Sequence, residues 1–215
     1  SAFFAGTGWK GEGANGRKGG WTLTESFKSA FQHRPRFLQI HQFQEFAGQW
    51  EGGGYGPARD LYVDSYSVEL SDDIEPVSLT ADAYRGEGGW GFLYLNLLRA
   101  LVDCYHQATP ETTVVALDQP GFGQRVSGAS LPLRWTWVGK APSGFELSIN
   151  GKQQSFPAEA AETEIDLSAL PAGPIEIVLT ALDTQARYAL SHTEASLPSE
   201  NPLPAQAATT LLYTP

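Results

Sequence analysis

The stretch Gly144-Phe-Glu-Leu-Ser-Ile-Asn-Gly151 decides how the second half of the chain is interpreted. Apolar and polar residues alternate from Phe145 to Ile149, which indicates a strand with one buried face. Asn150-Gly151 follows at once, and this pair is typical of a type I′ turn, in which both central residues have positive φ. The stretch therefore predicts an antiparallel β-hairpin.

Short runs of the same kind continue from Thr112 to the end of the chain. The predicted strands cover residues 112–118, 133–138, 144–149, 162–167, 174–181, 186–192 and 208–213. Pro171-Ala-Gly173 indicates a further turn, and the Pro-rich residues 198–204 indicate a loop or bulge before the last strand. About seven strands at this spacing favour an immunoglobulin- or fibronectin-like β-sandwich, predicted over residues 109–215.

Two details of composition refine this prediction. The single cysteine, Cys104, excludes the cross-sheet disulfide of antibody domains, and its apolar surroundings favour a buried inert thiol over a nucleophile. Trp135 and Trp137 alternate along one predicted strand, so both rings lie on the same face. That face is interpreted as core, with a carbohydrate-binding platform as the alternative.

Residues 1–108 show alternating strand and helix signals instead. The predicted elements are, in order, a strand at 2–5, a Gly-rich loop at 6–20, a helix opened by a capping box at Thr22–Glu25 and ended by Pro35, a buried strand at Phe37–Ile40, a loop at about 46–88 and a helix at about 89–106. Such alternation indicates parallel βαβ units. A (β/α)8 barrel takes about 250 residues, so this half predicts only the last βα units of a TIM-like barrel. The predicted fold class is therefore α/β plus all-β.

The incomplete barrel implies a partner. Two βα units alone leave both sheet edges exposed, so we expect an upstream segment of the same precursor to complete the barrel. The sequence contains no methionine, and no signal peptide precedes Ser1. We therefore expect a mature or proteolytically cleaved C-terminal portion of a longer precursor, located outside the cell, in the periplasm or at the cell surface.

Charge and hydropathy exclude two classes of partner. The net charge is −10, and the 14 Lys and Arg residues are scattered, which argues against a nucleic-acid-binding surface. No run approaches the roughly 18 apolar residues that a membrane-spanning helix needs.

The candidate site begins at His41-Gln-Phe-Gln-Glu45, directly after the predicted strand 37–40. Active sites of parallel barrels lie at the carboxyl ends of the strands, so Glu45 is a candidate catalytic carboxylate. Trp50 nearby offers an aromatic surface for a sugar ring, and His41 and Gln44 are candidate substrate-binding residues. The alternatives are a Glu45 that only hydrogen-bonds neighbouring loops and a packed His41.

An acidic segment, residues 64–75, contains the second candidate carboxylate, Glu75, and a candidate substrate-binding ring, Tyr66. Hard carboxylate oxygens can hold calcium, but the spacing is not that of an EF-hand, and a solvated or capping loop is the favoured interpretation. Glu75 differs from its neighbours because Ile74 and Pro76 indicate an ordered, partly buried setting. No cofactor is expected, and the four histidines show no metal-ligand spacing.

Three short segments together resemble a known family. They are Gln44-Glu45-Phe46, Ile74-Glu75-Pro76 and Trp90-Gly91-Phe92-Leu93-Tyr94-Leu95. Over about residues 36–107 they resemble the end of the barrel in glycoside hydrolase family 99, the endo-α-mannosidases, and in related bacterial polysaccharide proteins, with a longer loop between the first two segments.

The resemblance implies that Glu45 occupies the position of the family's catalytic base. The family's second catalytic carboxylate lies three residues further on, where this chain has Gly48. The acid then comes from another residue, such as Glu51 or one on the upstream segment, or the protein is no such catalyst. The resemblance thus implies the C-terminal portion of a glycoside hydrolase acting on an oligosaccharide or polysaccharide, the alternative being a non-catalytic carbohydrate-binding or surface-scaffold protein.

Overall fold

The structure is a computed structural model that describes residues 16–40, 43, 74–79, 90–118, 125–191 and 198–215. Within these residues, two helices precede a set of strands. The helices are α1 (Trp21–His33) and α2 (Leu93–His106). The strands are β1 (Thr113–Asp118), β2 (Arg125–Val126), β3 (Ser130–Gly139), β4 (Gly144–Ile149), β5 (Lys152–Pro157), β6 (Glu162–Asp166), β7 (Gly173–Ala186) and β8 (Leu203–Tyr213).

The strands form a β-sandwich. One sheet has the order β1-β3-β6 and the other β2-β8-β7-β4-β5, and every pairing is antiparallel except β2 with β8. Side chains that alternate along the strands meet between the sheets, where Trp135 packs edge-on against Phe145 and Phe156. Trp135 is 3% exposed and Trp137 packs against the same cluster, so the core interpretation of this pair is confirmed.

The hairpin predicted from Asn150-Gly151 is confirmed. β4 and β5 pair from Ile149 opposite Lys152 to Gly144 opposite Pro157. Asn150 and Gly151 have φ values of 47° and 81°, the left-handed conformation that a type I′ turn requires.

The strand predictions need several corrections. β2 and β5 were not predicted, because β2 has only two residues and those of β5 are mostly exposed and polar and so lack an apolar alternation. β8 begins at Leu203, inside the loop or bulge predicted at 198–204. Residues 186–192 were predicted as a strand, but β7 ends at Ala186 and the described residues 187–191 are not a strand. Tyr188 and Leu190 are both buried there, and this alternation without sheet pairing mimics a strand.

The two helices cover the outer face of the three-stranded sheet, so the fold has three layers. Val115 and Leu117 point into the sandwich, whereas Val114 on β1 and Val138 on β3 point the other way into a second core. Phe27 of α1 and Leu97 of α2 are buried in that second core. The predicted boundary at 108/109 falls between α2 and β1 and stays a prediction.

The capping box predicted at Thr22 and Glu25 is wrong. α1 begins at Trp21 after Gly20, which has φ +97° and provides no side-chain cap. The Thr22 hydroxyl donates to the Gly16 carbonyl, and the Glu25 carboxylate accepts from the Thr136 hydroxyl on β3. A tertiary hydrogen bond thus replaces the local one that the motif suggested.

The buried strand predicted at Phe37–Ile40 is also wrong. These residues form no strand, and Phe37, Leu38 and Ile40 are 81%, 42% and 39% exposed. No parallel βα unit of a barrel is evident in the described residues, whose helices pack on a sheet of the sandwich. The strand predicted at residues 2–5 lies outside the described residues. Neither described helix is long and apolar enough to cross a membrane.

Candidate functional site

Of the predicted site residues, Glu75 is the one that lies within the described part of the chain. The other candidates, His41, Gln44, Glu45, Trp50 and Tyr66, lie outside the described residues, as does the acidic segment before Ile74. Their predicted roles therefore stay predictions. Phe43 is described and fixes where the chain passes just before Gln44 and Glu45.

Backbone hydrogen bonds join Phe43 to the Glu75 segment. The amides of Ile74 and Glu75 both donate to the Phe43 carbonyl, each with an N···O distance of 3.0 Å. The Phe43 ring is 52% exposed, so this junction lies at the surface. The chain two residues before Glu45 is therefore in direct contact with Glu75.

Residues just before α2 also hydrogen-bond to the Glu75 segment. The indole N–H of Trp90 donates to the Glu75 carbonyl at 2.8 Å, and Trp90 is fully buried. One residue further, the Gly91 amide donates to the Val77 carbonyl at 2.7 Å, forming an isolated antiparallel bridge. Gly91 has φ +57°, a conformation that glycine adopts without steric cost.

The Glu75 side chain is half-buried. Its Oε2 atom is shielded from solvent and has no hydrogen-bond partner among the described residues. Most buried polar atoms in folded proteins are hydrogen-bonded. A carboxylate oxygen in this state can accept a hydrogen bond from a hydroxyl group that reaches it.

Arg17 is a residue of this region that the sequence reasoning missed. Its guanidinium carbon lies 4.0 Å from the centre of the Trp90 ring and 4.2 Å from that of Tyr94, and the residue is only 5% exposed. The two rings contact each other edge-on at 5.8 Å. Arg17 stands in a Gly-rich stretch with no periodic pattern, so nothing in the local sequence indicates that it packs against α2.

Outside the Glu75 segment, burial raises the pKa of two groups, Cys104 and Tyr188. Burial raises the pKa of the Cys104 thiol, which lies 3.1 Å from the Thr112 hydroxyl. Burial and the nearby Asp103 carboxylate raise the pKa of Tyr188. Cys104 is fully buried, which confirms the prediction of a buried thiol. Among the described residues, no group of three His, Cys, Asp or Glu side chains could hold a metal ion.

Comparison with known proteins gives only weak similarities. No family model matches the chain, glycoside hydrolase family 99 included, and no curated protein matches it. Among solved structures, an endo-β-1,4-mannanase from Thermotoga petrophila is similar with 8% identity and a TM-score of 0.33, over 54% of this chain and 23% of that chain. The chain thus spans about a quarter of the length of the mannanase.

Two further structures show a comparable level of similarity. The fibronectin(III)-like modules of Clostridium thermocellum CbhA match 46% of this chain and 94% of that chain, with 14% identity and a TM-score of 0.31. An engineered protein matches 63% of this chain and 31% of that chain, also with 14% identity and a TM-score of 0.31. Similarities of this size do not define a family for the chain.

Proposed function

We propose that this chain is the C-terminal part of a glycan-hydrolysing protein, in which the Glu75 segment borders the sugar-binding site and Glu45 supplies a catalytic carboxylate. One observation carries the proposal. The Phe43 carbonyl accepts hydrogen bonds from the Ile74 and Glu75 amides, while the Glu75 carbonyl accepts one from Trp90. Two of the segments that resemble glycoside hydrolase family 99, Ile74-Glu75-Pro76 and the one that begins at Trp90, thus meet in space, and Phe43, which precedes the third, contacts the first.

Covalent geometry limits how far Glu45 lies from this contact. Two residues of extended chain span about 7 Å, so Glu45 follows Phe43 at a distance that allows its carboxylate to approach Glu75. Glycoside hydrolysis uses two carboxyl groups about 5–10 Å apart, one for protonation and one as base or nucleophile. We assign the base or nucleophile to Glu45 and a supporting, sugar-binding role to Glu75.

The remaining site residues complete the proposal. His41 and Gln44 flank Glu45 in the sequence and carry polar groups for sugar hydroxyls, while the rings of Trp50 and Tyr66 suit the apolar faces of a sugar. The general acid is then contributed by another residue, because Gly48 stands where the resemblance places the second carboxylate. A protein of this kind acts on glycans outside the cell, in the periplasm or at the cell surface.

A barrel is completed, in this proposal, by another segment of the same precursor. Exposure of Phe37, Leu38 and Ile40 supports it, because three apolar side chains within four positions are costly to leave in water. Contact with another segment would bury these side chains and remove that cost.

A non-catalytic carbohydrate-binding or scaffold protein is the second candidate. Gly48 is the observation that favours it, since a site without its general acid binds sugars but does not hydrolyse them. In this case Glu75 and the aromatic side chains bind a glycan, and Glu45 contributes only hydrogen bonds.

The test compares carboxylate variants of the complete protein with a matched control. Hydrolysis and binding are measured with soluble polysaccharides, α-mannan among them, for Glu45→Gln, Glu75→Gln and the exposed control Glu200→Gln. Glu45→Gln should lower the rate by about 10²–10⁴ and leave binding largely intact, because it removes a positioned acid–base group. Glu75→Gln should weaken binding more than the chemical step, and Glu200→Gln should change neither.

The outcomes separate the candidates. Binding without hydrolysis in the wild-type protein supports the non-catalytic candidate. Wild-type hydrolysis by Glu45→Gln contradicts the proposed catalytic role, and the absence of both binding and hydrolysis contradicts any glycan function.

A further inference from the structure

Arg17 connects three parts of the molecule that are distant in the sequence. It precedes the 3₁₀ turn Lys18–Gly20, which leads into α1. Its guanidinium lies against Trp90, just before α2, and against Tyr94 in the first turn of α2. Trp90 in turn donates to the Glu75 carbonyl. A direct chain of contacts thus runs from Arg17 through Trp90 to Glu75.

The contacts restrict Trp90 more than its burial alone would. A guanidinium remains charged in proteins, and a cation over an aromatic face is stabilised most where water is excluded. Arg17 is 5% exposed and Trp90 is fully buried, so this cation–π contact is desolvated. The guanidinium lies against the same indole ring whose N–H group donates to the Glu75 carbonyl.

We infer that Arg17 is a positioning residue for the Glu75 segment, acting through Trp90. The inference rests on the proposed function for its consequence, because a correctly held Glu75 matters only if that segment borders a glycan site. Its physical content is independent of that function: the cation of Arg17, and not merely its volume, keeps residues 74–77 hydrogen-bonded to Trp90 and Gly91.

Lys18 supplies a matched control for the effect of charge. It is the next residue, is also a cation and also lies over a tryptophan, with its Nζ atom 5.2 Å from the centre of the Trp21 ring. Its ion pair is with Asp118 at 3.1 Å, on β1 rather than on the Glu75 segment. Lys18→Met therefore removes a comparable interaction without touching Trp90.

Amide hydrogen exchange of the complete protein tests the inference, with Arg17→Met, Arg17→Lys and Lys18→Met compared with wild type. Arg17→Met should speed exchange at Glu75 and Gly91 about tenfold, the size expected from loss of one desolvated cation–π contact, while amides of β4 and β7 stay unchanged. Arg17→Lys should lie between Arg17→Met and wild type, because it keeps the charge but not the planar fork. Lys18→Met should leave Glu75 and Gly91 unchanged.

Three results would overturn the inference. One is wild-type exchange at Glu75 and Gly91 in a folded Arg17→Met variant. Another is equal exchange in Arg17→Met and Arg17→Lys, which would leave volume as the only cause. A third is the same acceleration in Lys18→Met. Should Arg17→Met fail to fold, Arg17→Gln replaces it as the uncharged variant: slower exchange at Glu75 in Arg17→Lys than in Arg17→Gln supports the inference, and equal exchange in the two refutes it.

A second readout separates this inference from the proposed function. Binding of soluble α-mannan oligosaccharides is measured by calorimetry for the same variants. If wild type binds and Arg17→Met binds about tenfold more weakly while Lys18→Met binds normally, both stand. If the exchange rates change as expected but wild type binds no glycan, the positioning role stands and the proposed function fails. If glycan binds equally to all variants, Arg17 has no positioning role in the site.

Discussion

At the residue scale, two buried threonines show that the contribution of a hydroxyl group to stability depends on its tertiary hydrogen bonds. Thr136 on β3 and Thr209 on β8 are 4% and 3% exposed. The Thr136 hydroxyl donates to the Glu25 carboxylate and accepts from Lys28 at 3.2 Å, which ties α1 to the sheet. The Thr209 hydroxyl has no hydrogen-bond partner among the described residues.

Thr136→Val and Thr209→Val should therefore have opposite effects on stability. Thr136→Val removes the hydroxyl donor of Glu25, which keeps its contact with Lys28, and should lower the free energy of unfolding by about 1–2 kcal/mol, since a hydrogen bond to a charged group is lost. Thr209→Val removes an unpaired buried hydroxyl from a strand and should be neutral or stabilising by up to about 1 kcal/mol. Urea denaturation measures both, and a larger loss for Thr209→Val would contradict this interpretation.

Cys104 makes a prediction about alkaline pH. Burial raises the pKa of its thiol, so the folded chain keeps a proton that the unfolded chain loses above about pH 8.5. The stabilisation is complete below that pH and declines as the pH rises toward the folded-state value. The free energy of unfolding of wild type should fall as the pH rises above about 8.5, and Cys104→Ala should show a flatter dependence. The same pH dependence of the free energy of unfolding in both proteins would contradict this role of Cys104.

At the element scale, the β4–β5 hairpin shows local sequence and tertiary structure in agreement. The backbone of Asn150 bonds to that of Glu176 on β7, and the Asn150 side chain accepts from the Glu176 amide at 2.8 Å. The turn is thus fixed both by its own φ values and by the next strand of the sheet. Its prediction from two residues succeeds because few other residues adopt positive φ so easily.

Two glycines with positive φ separate two costs of adding a Cβ atom, namely backbone strain and steric clash. A Cβ atom at Gly151, with φ +81°, would meet no atom within 4 Å, whereas one at Gly139, with φ +106°, would lie 2.2 Å from the Thr112 carbonyl oxygen. Gly151→Ala should lower the free energy of unfolding by about 1–2 kcal/mol through backbone strain alone. Gly139→Ala should cost clearly more, because the backbone of Thr112 must also move. Thermal unfolding of both variants checks the order, and equal losses would contradict it.

At the scale of the whole molecule, the helix layer covers one face of the sandwich. Val114 and Val138 would become exposed without α1 and α2, although the core between the sheets would remain enclosed. A domain of about 105 residues has enough strands to enclose its own core. The helices are therefore expected to add stability to the sandwich without being needed for its fold.

A fragment of residues 110–215 tests this expectation. It should give a β-type circular dichroism spectrum and a cooperative melt. Its free energy of unfolding should be at least about 3 kcal/mol below that of the full chain, from exposure of Val114 and Val138 at about 1.5 kcal/mol each, with a further loss from Tyr188 and Leu190 in the same core. Val114→Thr together with Val138→Thr should destabilise the full chain but not the fragment. A fragment without a cooperative melt would mean that the helices are part of one inseparable domain.

The candidate site could be predicted only in part. Ile74-Glu75-Pro76 and the segment from Trp90 were selected from the sequence, and the structure brings them into contact. Arg17 could not be predicted, because its role depends on a guanidinium meeting two rings more than 70 residues away. The local sequence of a Gly-rich stretch does not indicate which distant aromatic ring a side chain will contact.

What the sequence by itself determined is the β-sandwich with its Asn150-Gly151 turn, the two amphipathic helices and the buried Cys104. Each of these rests on local backbone preference or on a periodic apolar pattern, and such signals act within one element. Only the tertiary structure decided where the helices pack. The apolar face of an amphipathic helix predicts burial but not the surface that buries it. The same two helices could therefore have covered a parallel barrel sheet instead of the outer face of β1 and β3. The same is true of Phe37–Ile40, whose apolar composition predicted burial that this chain does not provide.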